Sequence, residues 1–176
     1  MTRQATRRKT KTGKRPVEAY LDIETTGLSR FMHDITVVGI CICDGKRDKI
    51  IQLVGEHVNG KNLKKALDGV DTIYTYYGSR FDLPFIEAAL DVDLESAYEH
   101  HDLMYDCWAN GLKGGLKAVC ERLGITRSLS GIDGRQAVDL WYRHINHSDQ
   151  KSLDTLLQYN RDDINSLKVL KEILLG

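Results

Sequence analysis

Residues 20–28, YLDIETTGL, place Asp22 and Glu24 two positions apart where an apolar run gives way to threonines and a glycine. Alternate residues of a β-strand share a face, so both carboxylates point the same way at the strand's C-terminal end. Open α/β sheets bind ligands beyond that end, and two carboxylates gathered there repel each other unless a cation lies between them. Hard oxygen donors of this kind suit Mg2+ or Mn2+. Taken alone, an Asp-x-Glu pair also describes two solvated acids in a turn. The other acids of the chain have to decide between the two.

Asp82 follows a second apolar run across YGSR and opens RFDLPFIEAAL, where Phe81, Phe85, Ile86 and Ala89 recur at helical spacing and Pro84 falls in the first turn. An acid there complements the helix dipole whatever else it does. The third place is the last segment, SLDTLLQYNRDDINSLKVLKEILL, a long amphipathic helix with Ser152 as its expected cap. Taking about 100° per residue from Leu153, the apolar stripe lies within about 60° of zero, Asp163 falls at about −80° and Tyr159 at about −120°. Both flank the stripe, side by side at i and i+4. Asp162, near 180°, is expected to face water.

These acids need elements to position them. VEAYLDIETTG, DITVVGICICDG and KIIQLVG read as three strands, the last two joined into a hairpin by Asp44-Gly45. GKNLKKALDGV reads as a short helix ending near Gly69, DTIYTYYG as a fourth strand, and HHDLMYDCWA as a short strand or extended segment. GGLKAVCERLG is a helix closed by Gly124, a further amphipathic piece covers Asp133 to Ile145, and the long helix ends the chain. The order β-β-β-α-β-α-(β)-α-α-α predicts an α/β fold, a mixed sheet flanked by helices.

The chain has 176 residues, 41% hydrophobic and 28% charged, as expected of one soluble domain, and no apolar stretch reaches the ~20 residues that span a bilayer. Its zero net charge hides an asymmetry. Residues 1–16 carry seven Lys/Arg and no acid, leaving 18 basic against 25 acidic residues, or −7, in the rest. The expectation is a disordered basic tail, solubilising or phosphate-gripping, ahead of a domain at 17–176. Cys41, Cys43, Cys107 and Cys120 form no C-x-x-C, and the first two share one face of a strand as small hydrophobes. A reduced, cytoplasmic setting without structural zinc follows as an expectation.

DIETTG, YGSRFDLPFI and YNRDD with its Y-x-x-x-D spacing, in this order, resemble the three motifs of the DEDD superfamily, the DnaQ-like 3′–5′ exonucleases with a ribonuclease H-like fold. A tyrosine in the last motif resembles the DEDDy branch, and HHDLMYDCW with GGLKAVCERLGITRSLSGIDGRQAVDLWYRHI is similar to the freestanding YprB-like domains. The resemblance covers residues 17–175. It implies a ribonuclease H-like mixed sheet, with Asp22, Glu24, Asp82 and Asp163 binding two ions, Mg2+ or Mn2+, and Tyr159 orienting or deprotonating the attacking water. Tyrosine's ordinary pKa near 10 favours orienting. Thr25, Leu28, Tyr77 and Phe81 are the implied substrate contacts, with Leu28 as an apolar wedge against the terminal base. Tyr77 departs from the pattern, which often has asparagine there; the ring could stack on a base or pack in the strand. Asp102 matches a recurrent acid as an accessory group, and His100 and His101 read as surface residues. The implied activity is metal-dependent 3′–5′ exonuclease action on single-stranded DNA or RNA. The alternatives are a non-catalytic nucleic-acid-binding module and a structure-selective endonuclease on the same site.

Overall fold

The computed structural model describes residues 15–129 and 131–176, so most of the basic tail lies outside the described residues. Three strands open the domain: β1 (Glu18–Thr25), β2 (Ile35–Cys43) and β3 (Asp48–Val54). They form an antiparallel meander, with Gly45 at φ +80° in the turn between β2 and β3 as the Asp-Gly pair predicts. A short helix, α1 (Gly60–Ala66), crosses to β4 (Thr72–Thr75), which pairs in parallel with β1. Helices α2 (Asp82–Leu90) and α3 (Leu94–Ala97) then lead to β5 (Glu99–Asp102), parallel to β4. The sheet order is β3-β2-β1-β4-β5. The last four helices are α4 (Leu103–Ala109), α5 (Leu116–Leu123), α6 (Gly134–His147) and α7 (Gln150–Leu175).

The sheet is buried on both faces. Ala19, Leu21 and Ile23 of β1 pack with α1, α2 and Leu94 of α3, while Tyr20 of the opposite face packs with Cys41, Tyr74, α4, α5 and the Ile164–Leu170 stretch of α7. Cys41 and Cys43 do share that face, both buried, with sulfurs 3.9 Å apart. Asp22 and Glu24 continue the face of Tyr20, so β1 passes from an aromatic to two acids as it runs beneath α7.

Three local readings change. HHDLMYDCWA is strand and helix in succession: β5 ends at Asp102, whose carboxylate caps α4 by accepting from the Met104 amide at 3.2 Å. The four-residue α3, capped by Asp93, is too short to leave a periodicity. Helix α7 begins earlier than its expected cap, because Asp149 accepts from both the amide (3.1 Å) and the hydroxyl (2.7 Å) of Ser152. Ser152 is thereby inside the first turn.

Candidate active site

The C-terminal ends of the parallel strands β1, β4 and β5 lie at one edge of the sheet, and the acids collect beside the end of β1. Asp22, Glu24 and Asp163 each place a carboxylate oxygen within 4.8 Å of the others. The fourth predicted acid joins them differently. The parallel register between β1 and β4 stops at Tyr20 and Tyr74, and the Ile23 amide beyond it donates to Asp82 Oδ1 at 3.1 Å. Asp82, first residue of α2, is therefore pinned against β1 next to the other three. Tyr159 stands one turn before Asp163 on α7, buried with it beside β1.

Gathering these charges is costly. Enclosure in the fold, followed by the charges of Asp163, Glu24 and Asp82, pushes the Asp22 carboxyl well above its ordinary range. Glu24 rises for the same reasons, with Asn160 and Lys117 acting against the rise. Asp82 is pushed up to about 7, chiefly by burial and against the pull of the Ile23 amide. Burial also raises Asp163, opposed by Arg127 and Lys117. Tyr159 is raised by burial and then by Asp163, Glu24 and Asp22, so its hydroxyl keeps its proton at neutral pH.

The donor set fits a hard divalent cation. All of it is carboxylate oxygen, and Glu24 Oε1 is buried with no hydrogen-bond partner among the described residues. A buried carboxylate oxygen with no donor beside two further acids is stabilised by a cation or by a proton.

Two clefts meet at these acids. One, of about 610 Å3, is lined by Tyr76, Tyr77, Trp108 and Lys117 along with Asp22 and Tyr159. The other, of about 450 Å3, is lined by Thr25, Leu28, Phe81 and again Tyr77. All four residues expected to contact substrate thus line one cleft, and Leu28 is 87% exposed at its mouth. Tyr77 lies past the end of β4 and is no packing residue of the strand; it is 45% exposed at φ +66°. His100 bonds Thr75 at 2.8 Å and His101 bonds Asp106 at 2.6 Å, so both histidines are engaged away from the acids.

Asp162 corrects an expectation. The angle assigned it to water, yet it is buried and accepts from the Leu129 amide and from Gln158 Nε2, each at 2.9 Å. The segment between α5 and α6 covers that flank of α7. The same segment supplies a residue that sequence reading missed: Arg127, whose Nη1 donates to Asp163 at 2.5 Å while its guanidinium lies 5.7 Å from the Tyr159 ring. Lys117 Nζ sits 4.6 Å from the same ring. Both cations lie within the GGLKAVCERLGITRSLSGIDGRQAVDLWYRHI stretch, but only a three-dimensional neighbour relation places them beside the acids. Asn160 was also passed over, although it adjoins Tyr159 in the motif itself.

A β-meander followed by two parallel strands, helices on both faces and acids at the strand ends together define a ribonuclease H-like domain. The chain belongs to the RNase H superfamily, whose RNase_H_2 family model matches residues 19–175. No curated protein sequence matches it significantly. Among solved structures it is similar to the family B DNA polymerase of the hyperthermophilic archaeon Pyrobaculum calidifontis, with TM-score 0.71 and 18% identity over 92% of this chain and 25% of the polymerase. The chain therefore spans about a quarter of that enzyme. It is also similar to Brucella melitensis NrnC, at TM-score 0.58 and 22% identity with Mg2+ bound, over 89% of this chain and 71% of NrnC. NrnC bound to pGG gives TM-score 0.57 at the same identity and coverage. At these identities the likeness is one of fold. No described helix is long and apolar enough to cross a membrane.

Proposed function

We propose that the protein is a metal-dependent 3′–5′ exonuclease of the DEDD type, in its tyrosine-bearing DEDDy branch, that shortens single-stranded DNA or RNA from the 3′ end. One observation carries the reading: three carboxylates converge within 4.8 Å, one of them with an orphaned buried oxygen, beside Asp82 and Tyr159. NrnC, which shares the fold, has structures with Mg2+ and with pGG, the same cation chemistry and substrate class as proposed for this chain.

Asp22, Glu24, Asp82 and Asp163 would hold two Mg2+ or Mn2+ ions, which when bound supply Lewis acidity on both sides of a phosphodiester. Tyr159, buried one turn before Asp163, would orient the attacking water by hydrogen bonding. Arg127 opposes the rise of the Asp163 pKa and directs its carboxylate, and Lys117 brings a positive charge to the cleft wall for the non-bridging phosphate oxygens. The two clefts suit the nucleotides on either side of the scissile bond. Thr25, Leu28 and Phe81 flank the nucleotide to be released, with Leu28 against its base, and Tyr77 stands between the clefts as a stacking face. The 3′ to 5′ polarity rests on the resemblance of the three motifs.

Digestion of matched 5′-labelled and 3′-labelled DNA and RNA strands, with Mg2+, Mn2+ or EDTA, tests the reading. The expected result is metal-dependent release of mononucleotides from the 3′ end, lost in Asp22→Ala. Internal cuts would instead mark an endonuclease. Binding without shortening, unchanged in Asp22→Ala, would mark a binding module and overturn the proposal.

A further inference from the structure

Three residues lie in one row across the sheet: Asp22 of β1 pairs with Gly39 of β2, and Gly39 pairs with Gln52 of β3. Side chains in such a row project from the same face. The middle residue has no side chain, and its space is taken by the Asn160 amide from α7, since a Cβ on Gly39 would lie 2.0 Å from Asn160 Oδ1. Asn160 is 0% exposed and uses both ends of its amide. Its Nδ2 donates to Asp22 Oδ2 at 3.1 Å and to the Asp22 carbonyl at 3.3 Å. Its Oδ1 accepts from Gln52 Nε2 at 3.0 Å, and Gln52 Nε2 also donates to the Leu157 carbonyl at 2.8 Å.

The polarity of this chain permits one arrangement. Gln52 must turn its NH2 toward α7 to meet the Leu157 carbonyl, so Asn160 must present its oxygen to Gln52 and its NH2 to Asp22. Flipping Asn160 would set oxygen against oxygen at the carboxylate and nitrogen against nitrogen at Gln52.

The geometry points to Asn160 as the positioning residue of the cation site, holding one Asp22 oxygen so that the other faces Glu24 and Asp163, with Gly39 as the gap it needs and Gln52 as its anchor. The inference rests on the proposed function only as far as cation binding. Asp22 carries its carboxylate among like charges, and rotation about its χ angles is the natural relief. Two hydrogen bonds from the Asn160 amide, one to the Asp22 carboxylate and one to the Asp22 carbonyl, remove that freedom. Partners of this kind behind a ligating carboxylate typically change metal affinity 10–100-fold.

The test is Mn2+ titration of the full chain by calorimetry without nucleic acid, alongside melting temperature in EDTA. Asn160→Ala is expected to weaken Mn2+ binding about 10–100-fold. Gly39→Ala is expected to do the same with both Asp22 and Asn160 left unsubstituted, because its methyl expels the Asn160 amide. Gln52→Ala, which leaves the Asn160 to Asp22 bonds in place, loses less. The decisive variant is Gly39→Ala with Asn160→Ala: the methyl then fills the space, so the pair binds Mn2+ no worse than Asn160→Ala alone. Strictly additive losses, or unchanged Mn2+ affinity in the folded single variants, overturn the inference. Wild-type protein that binds Mn2+ through Asp22 and yields these results but cleaves no strand leaves the inference standing and removes the exonuclease reading.

Discussion

Two carboxylates, Glu24 at the end of β1 and Asp102 at the end of β5, are equally buried at 7% exposure and live in opposite surroundings. Asp102 accepts from the amides of Tyr77 (2.8 Å), Ser79 (3.0 Å) and Met104 (3.2 Å) and from the Ser79 hydroxyl (2.6 Å). Its charge is fully satisfied and ties the turn after β4 to the start of α4. Glu24 has an oxygen with no donor among the described residues and two more acids within reach. A buried acid with its donors in place organises the fold; one without them strains it until a cation arrives. The difference separates an acid tied into the fold from an acid left open to a ligand.

Substitution gives the largest contrast. Glu24→Gln or Asp22→Asn removes a ligand charge and is expected to lower strand cleavage by more than about 1,000-fold, the scale of several kcal/mol of lost transition-state stabilisation. The same change relieves repulsion, so in EDTA the Glu24→Gln protein melts above wild type. Steady-state cleavage of a labelled strand and thermal denaturation in EDTA check the pair of outcomes. Lower stability of Glu24→Gln in EDTA would break the comparison.

Asp102→Ala reverses the sign. It leaves several buried or half-buried donors without their acceptor and is expected to cost about 3 kcal/mol, at about 1–3 kcal/mol for each group left unsatisfied. Urea denaturation measures it. Cleavage by the surviving folded fraction falls far less than in Glu24→Gln, because Asp102 acts on the shape of the turn.

Why one acid was readable from sequence and the other only half so follows from where their partners lie. Strand alternation, a helix start and an i, i+4 spacing mark Asp22, Glu24, Asp82, Tyr159 and Asp163 as candidates, and the resemblance of three ordered motifs joins them into one expected site. The sheet with helices on both faces followed from the same regularities. The angular reading that set Asp163 at the border of the apolar stripe failed for Asp162, because a helical wheel knows one neighbour of α7 and the segment carrying Arg127 and Leu129 is another. Asn160 was invisible for a related reason: its role depends on a glycine gap 121 positions earlier in the chain, which no local pattern encodes.

Titration sharpens the contrast further. Asp82 has a folded pKa of about 7 against an ordinary 3.8, and Asp22 and Glu24 are also raised. A raised carboxyl adds stability that is fully present below pH 3.8 and is lost as pH climbs through about 7. The metal-free site therefore weakens the fold over that window. Protons and cations compete for the same oxygens, so saturating Mn2+ should raise the melting temperature strongly at pH 7.5 and little at pH 5. Melting curves with Mn2+ and with EDTA at both values measure the two increments. Equal increments would mean that the cation binds elsewhere.

The smallest effect probes what the Asp102 clamp is for. It holds Tyr77 at φ +66°, a left-handed conformation that costs an L-residue roughly 1–2 kcal/mol and that asparagine tolerates better. Nothing in the packing of the core requires an aromatic ring there, since the residue is 45% exposed and lines both clefts. Tyr77→Asn should therefore stabilise the protein by about 0.5–1 kcal/mol while weakening binding of a short single strand about tenfold, the loss of one stacked base. Urea denaturation and fluorescence anisotropy of a labelled oligonucleotide, in the Asp22→Asn background to prevent cleavage, read the two changes separately. Opposite signs mean that the strain is spent on presenting the ring to nucleic acid, with Asp102 serving the site through Tyr77. Stability and binding falling together would make Tyr77 a packing residue after all and leave Asp102 with the fold alone.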